Sequence, residues 1–392
     1  MPVNYEQLTR QISTIGASLA QQRSRVSAEI SAYFDFLREN DGQPGLLQTL
    51  QRKISQLKNI RCALPRDEKL LETFSVADEP LTPVEILAAD GSQITPNRHH
   101  ELSYGLLNSA VFRMSTGSGI APTIVTETLL LEKVTREDLD QSVEDAIAMQ
   151  RDLAERTLLA REAAALNSQL PVIALTDGPL EPFYQRRNSP SFTRQLQGIH
   201  DHFSHMAELG IIPAGYIDRP HSDLLLRMLD ILRGDLSAES IGKPRDLPVF
   251  DAALFEKLLP PDHRSVVFRL ISPSVLDMPE AIRLSFFYLN VGTASQPGIV
   301  RVEIPEYVAA SRSSLNLLQA NLLAQCRILP SDPYPYALHR AHEAAVVTSE
   351  ERDRITQLLI NDHLTHGGSN LSKSNKQTAK DRANTRYNHL NS

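Results

Sequence analysis

The sequence predicts an α/β fold: a mixed sheet flanked by helices, preceded by a helical hairpin. Three observations predict it. Two apolar, strand-like runs each close on an Asp-Gly step, Val84 to Asp90-Gly91 and Pro171 to Asp177-Gly178. A run of alternating, β-rich segments and then one long helical segment lie between them. Apolar stripes at helical spacing fill the first 75 residues.

The N-terminal hairpin is predicted over 1–75. Ile12, Ile15, Leu19, Val26, Ile30, Phe34 and Leu37 fall near helical spacing, and Asn40-Asp41-Gly42-Gln43-Pro44-Gly45 breaks the pattern. Leu46, Leu47, Leu50, Ile54, Leu57 and Ile60 give a second helix one apolar face. Such faces are usually core, so packing on the main domain is expected, with a second subunit as the other possibility.

The main domain is predicted over 80–365. A β-meander is expected at 82–134, with strands at Val84–Ala89, at Leu102–Met114 with a break near Gly105, and at Thr123–Lys133. A helix over 136–168 leads into the strand that carries Asp177, which makes a crossover unit. Helices at 191–210, 221–232, 306–327 and 349–364 and strands at 211–218, 266–270, 284–291 and 299–304 complete the domain, with loop over 234–265. Residues 366–392 are polar and carry Lys373, Lys376, Lys380, Arg382 and Arg386, so they are expected to form a disordered basic tail.

Bulk properties narrow the class. The chain has 392 residues, 41% apolar content and a net charge of -7, so any grip on nucleic acid must come from a local basic patch. Cys62 and Cys326 are the two cysteines and form no CxxC pattern, which removes a thiolate zinc site and suits a reducing cytoplasm. The first residues lack a basic and an apolar region, so no signal peptide is expected, and no apolar run is long enough to span a bilayer.

The two Asp-Gly steps carry the chemistry. Strands side by side would bring Asp90 and Asp177 to one sheet edge. Close carboxylates repel unless a proton or cation sits between them, and hard divalent cations prefer oxygen ligands. A metal site with phosphoryl chemistry follows. The plain alternative for each is a turn residue, since Asp-Gly is a favoured turn dipeptide. His99-His100 resembles a metal cluster but lacks a third spaced partner, so it reads as loop.

Strand with Asp, antiparallel strands, helix, strand with Asp and a late His is the order of a ribonuclease H-like fold. Ala88-Ala89-Asp90-Gly91-Ser92, Leu175-Thr176-Asp177-Gly178-Pro179-Leu180, Gly215-Tyr216-Ile217 and Tyr334-Pro335-Tyr336-Ala337-Leu338-His339-Arg340-Ala341-His342 resemble, in that order, the NurA nuclease family. The resemblance runs over about 80–364. It implies a manganese-dependent nuclease (magnesium being the alternative, two ions in either case) that degrades DNA from the 5′ end, with single-strand endonuclease activity as a further expectation. It also implies a homodimer that works with a hexameric HerA-type translocase in double-strand-break repair. Carried over residue by residue, Asp90, Asp177 and His342 fall on family positions, and Glu155 on the helix carboxylate, with Glu162 as the alternative. His342 is expected as a metal ligand or as a proton shuttle. Where the family often has Ser-Lys after the Gly-Tyr strand, this chain has Asp218-Arg219. Arg186, Arg187, Arg219 and Arg340 are candidates for phosphate contact.

Two other functions compete. An actin-like phosphotransferase also uses strand-end Asp-Gly turns, but only 17 glycines occur and none makes a nucleotide-binding pattern. A non-catalytic adaptor for a translocase would keep the fold without the acidic set and His342.

Overall fold

The computed structural model describes residues 4–76, 81–96, 104–131, 143–182, 190–235, 241, 243, 245–329 and 331–366. In chain order, α1 (Tyr5–Asn40) and α2 (Leu46–Ser55) are followed by the short strands β1 (Cys62–Pro65) and β2 (Thr73–Phe74). The meander is β3 (Glu85–Ile94), β4 (Gly105–Ser115) and β5 (Thr123–Leu131), and α3 (Val143–Ala164) leads to β6 (Val172–Asp177). Next come α4 (Pro190–Glu208), β7 (Ile212–Ile217), α5 (Leu224–Arg233), α6 (Asp251–Leu258), β8 (Arg264–Ser265) and β9 (Phe268–Ile271). The chain then forms α7 (Pro273–Leu276), β10 (Leu284–Asn290), β11 (Ile299–Pro305), α8 (Glu306–Ala309), α9 (Arg312–Cys326), α10 (Tyr336–Ala345) and α11 (Ser349–Thr365). This is the mixed sheet with flanking helices that the sequence predicts.

Two compact units share the chain. The first comprises residues 1–83, 175–183 and 203–336, and the second residues 84–174, 184–202 and 337–392. Strand order in the first is β1-β9-β10-β11-β7-β6, and in the second β6-β3-β4-β5, with β6 divided between them.

Several elements differ from the sequence pattern. Helix stops at Ser55, and the segment to residue 75 contains β1 and β2. Cys62 and its neighbours through Pro65 are all buried and pair antiparallel with β9, a tertiary pairing that no local signal announces. β4 begins at Gly105 and pairs with β3 from Leu106–Ile94 to Ser115–Glu85, and the first part of the strand expected from Leu102 lies outside the described residues. α6 lies inside the segment that reads as loop, because eight residues make too short a periodic window. In α1 only the second half of the stripe is buried, at Ile30, Tyr33 and Leu37, while Ile12, Ile15 and Leu19 are exposed. Arg186, Arg187, His99, His100 and the tail beyond His366 lie outside the described residues.

The first unit is organised by aromatic packing and buried polar bonds. Phe255 stacks on Tyr288 at 4.2 Å and Phe268 on Phe286 at 5.7 Å between centroids. Asp251 is wholly buried and receives Leu225 N, Leu226 N and the Tyr288 hydroxyl, so it caps α5 from another helix. Burial raises its carboxyl to about 6 against those three hydrogen bonds. The buried half of α1 is clamped to α5. Tyr33 Oη donates to Asp230 Oδ1 at 2.6 Å, Arg245 reaches both partners, and the Arg233 guanidinium lies over Phe36 at 4.4 Å.

This clamp gives the first expectation. Tyr33→Phe keeps the ring and removes both hydrogen bonds at its hydroxyl. It should cost about 2 kcal/mol, since one partner is charged. Urea unfolding monitored by circular dichroism measures it.

Candidate metal centre

Asp90 does not stand at a turn. β3 runs on through Asp90 and Gly91 to Ile94, with Asp90 opposite Ala110, Gly91 opposite Ser109 and Ser92 opposite Asn108 on β4. The turn expected at this Asp-Gly step is therefore absent, and Gly91 serves a different purpose. A Cβ built on Gly91 would lie 2.8 Å from Glu155 Cγ and 2.9 Å from its carboxyl carbon. The missing side chain lets the Glu155 carboxyl lie against the strand, beside Asp90. Glycine here answers a close approach and not a backbone angle.

Glu155 comes from the middle of α3 and is only 7% exposed. Arg151, one turn before it, places Nε 3.1 Å from Glu155 Oε1. That ion pair lacks hydrogen-bond geometry: both atoms are buried and neither completes a hydrogen bond. Burial raises the Glu155 carboxyl from its ordinary 4.5 to about 8. The Arg151 charge opposes that rise, while the negative charges of Asp152 and Asp90 add to it. Glu162, the alternative two turns on, is paired with Arg161 at 3.0 Å, and it is Glu155 that meets Gly91.

His342 reaches the same strand from α10. Its Nδ1 lies 2.6 Å from Asp90 Oδ2, and its side chain is 62% exposed while that of Asp90 is 16% exposed. In the neutral ring, an Nδ1–H that donates to the carboxylate leaves the lone pair on Nε2. α10 turns Ala337, Leu338, Ala341 and Ala345 inward, and these mostly small residues let it sit close to the sheet. Its end is tied down by two bonds that the sequence pattern does not reveal. Ser92 Oγ donates to Ala345 O at 2.5 Å, and Asn108 Nδ2 donates to the same oxygen at 2.9 Å. Ser92 and Asn108 face each other across β3 and β4, so the strand that carries Asp90 also holds the helix that carries His342.

Asp177 is the last residue of β6 and is exposed. Here the Asp-Gly step does turn: Gly178 has φ +90° and its N–H donates to Tyr216 O at 2.8 Å. Within the second unit the first half of β6 is next to β3, and Glu85 N donates to Pro171 O at its entry.

The donor chemistry fits a hard divalent cation. Glu155 offers a buried carboxylate oxygen whose ion pair with Arg151 is badly aligned, and Asp90 offers a second carboxylate. Among the described residues no three His, Cys, Asp or Glu side chains stand together as a preformed cage.

The arginines named from sequence differ in setting. Arg340 is ion-paired with Glu343 one turn later. Arg219 is 86% exposed, has φ +44° and lies 3.8 Å from Asp218. It lines a cavity of about 1050 Å³ in the first unit together with His221, Phe250, Arg327 and Tyr334. Asp218, Glu256, Asp262 and Asp332 line the same cavity, which leaves it acidic on balance and unsuited to phosphate.

The family model for the NurA domain matches residues 84–347. Comparison with the curated proteins gives no match. Among solved structures, the chain is similar to the NurA nuclease from Sulfolobus solfataricus, at 11% identity over 89% of this chain and 98% of that one, with TM-score 0.48. It is similar to the catalytic domain of human Endonuclease V, at 11% identity over 81% and 98%, with TM-score 0.34. A third likeness is to Ciona intestinalis Endonuclease V in complex with an inosine-containing DNA, at 12% identity over 72% and 91%, with TM-score 0.27. The family model takes in more than half of the sequence, with Asp90, Glu155, Asp177 and His342 inside it, and the chain belongs to the NurA family of nucleases.

Proposed function

We propose that this chain is a manganese-dependent DNA exonuclease that digests from the 5′ end and processes broken ends together with a HerA-type translocase. Asp90, Glu155 and Asp177 would hold the ions, with His342 beside them. The observation that carries this reading is the Glu155 carboxyl. It is buried at the sheet, raised to about 8, and one of its oxygens completes no hydrogen bond. Such a group is costly unless a ligand uses it.

A bound divalent ion supplies a water acidified toward neutral pH and neutralises charge on the leaving oxygen. The protein's own part is to bring carboxylates together and to handle the proton. Gly91 gives Glu155 room, and the Ser92 and Asn108 bonds to Ala345 fix the end of the helix that bears His342. His342 donates through Nδ1 to Asp90, which orients the ring and leaves Nε2 able to accept a proton. A nitrogen donor beside carboxylates suits manganese better than magnesium. Single-stranded DNA cut internally is a further expected substrate, and the cytoplasm the expected location. No helix among the described residues is long and apolar enough to cross a membrane.

A homodimer belongs to the same reading. Tyr5, Leu8, Ile12, Ile15 and Leu19 recur at intervals of three and four along α1 and are exposed. A seam of this spacing pairs with a matching helix, and a second copy supplies one.

Three outcomes test the proposal. End-labelled linear DNA should be degraded with manganese and not in chelator, and Asp90→Asn or Asp177→Asn should each lower turnover more than about 100-fold, since even a supporting contact to a metal ligand is worth 10–100-fold. Near-normal turnover in either variant refutes the assignment.

The second concerns pH. Between 4.5 and about 8 the folded chain keeps on Glu155 a proton that the unfolded chain has lost. Stability therefore falls as pH rises through that window. Glu155→Gln stays neutral, so in chelator its melting temperature should match wild type near pH 4 and exceed it increasingly toward pH 8. Parallel pH profiles would count against the buried carboxyl.

The third concerns assembly. Ile12→Lys with Ile15→Lys should yield a monomer by light scattering with an unchanged melting curve for the monomer fold. A wild-type chain that is already monomeric at micromolar concentration contradicts the dimer.

A further inference from the structure

The turn after Asp177 is held from two strands away. β11 pairs antiparallel with β7, which sets Glu303 opposite Gly215 and Val302 opposite Tyr216. Glu303 is wholly buried. Its Oε2 accepts from Leu180 N at 2.8 Å and from Glu181 N at 3.2 Å, and its Oε1 accepts from Arg301 Nη2 at 2.8 Å. Every one of these partners is a donor, so the site demands a carboxylate.

Residues 178–181 can reach Glu303 only by crossing β7. Gly215 makes the crossing possible. A Cβ at that position would lie 2.6 Å from Gly178 O and 3.0 Å from Leu180 N. Gly178 N bonds to Tyr216 O on the same strand. Beyond the crossing, the Glu181 carboxylate takes Arg61 at 2.7 Å and the Ser272 and Ser274 hydroxyls at 2.5 Å each. The exposed end of β6 is thereby followed by a turn in which each residue but Pro179 is fixed through a backbone amide.

We infer that Glu303 is a positioning residue for Asp177, setting through the Leu180 and Glu181 amides where that carboxylate stands to receive a divalent cation. The inference rests on Asp177 being a metal-holding residue. Glu303→Gln keeps the volume but turns an amide N–H toward either Arg301 or the two backbone donors, so one anchor is lost. Gly215→Ala displaces the same turn without touching the buried acid, and it serves where the glutamine variant folds poorly.

The test is calorimetric titration of the full chain with manganese alone, with hydrolysis of linear DNA measured alongside. Both variants should bind manganese about ten-fold or more weakly, in the range seen when an outer partner of a metal ligand is removed. The deficit in DNA hydrolysis should shrink as manganese is raised, which loss of fold would not do. Tyr33→Phe, a clamp variant in the same unit, should lower stability and leave manganese binding unchanged. Wild-type affinity in both Glu303→Gln and Gly215→Ala overturns the inference. If Asp177→Asn still abolishes activity in that case, the proposed function stands and only the positioning role falls. A wild-type chain that takes up no manganese overturns both.

Discussion

A buried carboxylate is tolerated only when hydrogen-bond donors or a cation surround it. That constraint sorts the acids of this protein. Asp251 has two amides and a phenol; Glu303 has two amides and a guanidinium; Asp230 has Tyr33 and Arg245; Glu181 has Arg61 and two serines; Glu85 has Arg113. Each is satisfied and each fastens one element to another. Glu155 breaks the pattern. Its oxygen is buried by Gly91 and α3, its ion pair with Arg151 is misaligned, and the negative charge of Asp90 makes its own charge harder to keep. The fold maintains this unfavourable arrangement with a glycine placed inside a ten-residue strand, where glycine otherwise weakens pairing.

The same economy of backbone recurs at Asp177, by a different route. There the glycine after the acid adopts a positive φ and turns the chain, and a second glycine, Gly215, lets the turn pass over β7. Two identical dipeptides thus do different things. At Gly91 the absent Cβ is needed by a neighbouring side chain; at Gly178 it is needed by the backbone itself.

This difference marks what was legible in the sequence. The Asp residues, the meander, the crossover helix and the late histidine all stand out because strand and helix periodicities are local. Asp90 stands out in the sequence through its Asp-Gly step, yet that step continues a strand instead of ending one. Which glutamate on α3 faces the sheet was not readable: Glu155 and Glu162 are two turns apart on one face, and only the register of α3 against Gly91 separates them. Ser92, Asn108 and Glu303 were invisible for the same reason. Their roles depend on partners 237 or more residues away, or on a backbone amide that carries no sequence signature. The aliphatic stripe of α1 looked uniform, yet only its second half is covered by this chain's own core.

On the function proposed above, the Glu155 carboxyl is completed by a cation shared with Asp90. Anomalous scattering at the manganese edge, recorded from crystals grown with manganese, tests it most directly. A peak is expected within coordinating distance of both Asp90 and Glu155, with the Arg151 guanidinium drawn away from Oε1. A peak that leaves Glu155 paired with Arg151 and out of reach of the ion would contradict it.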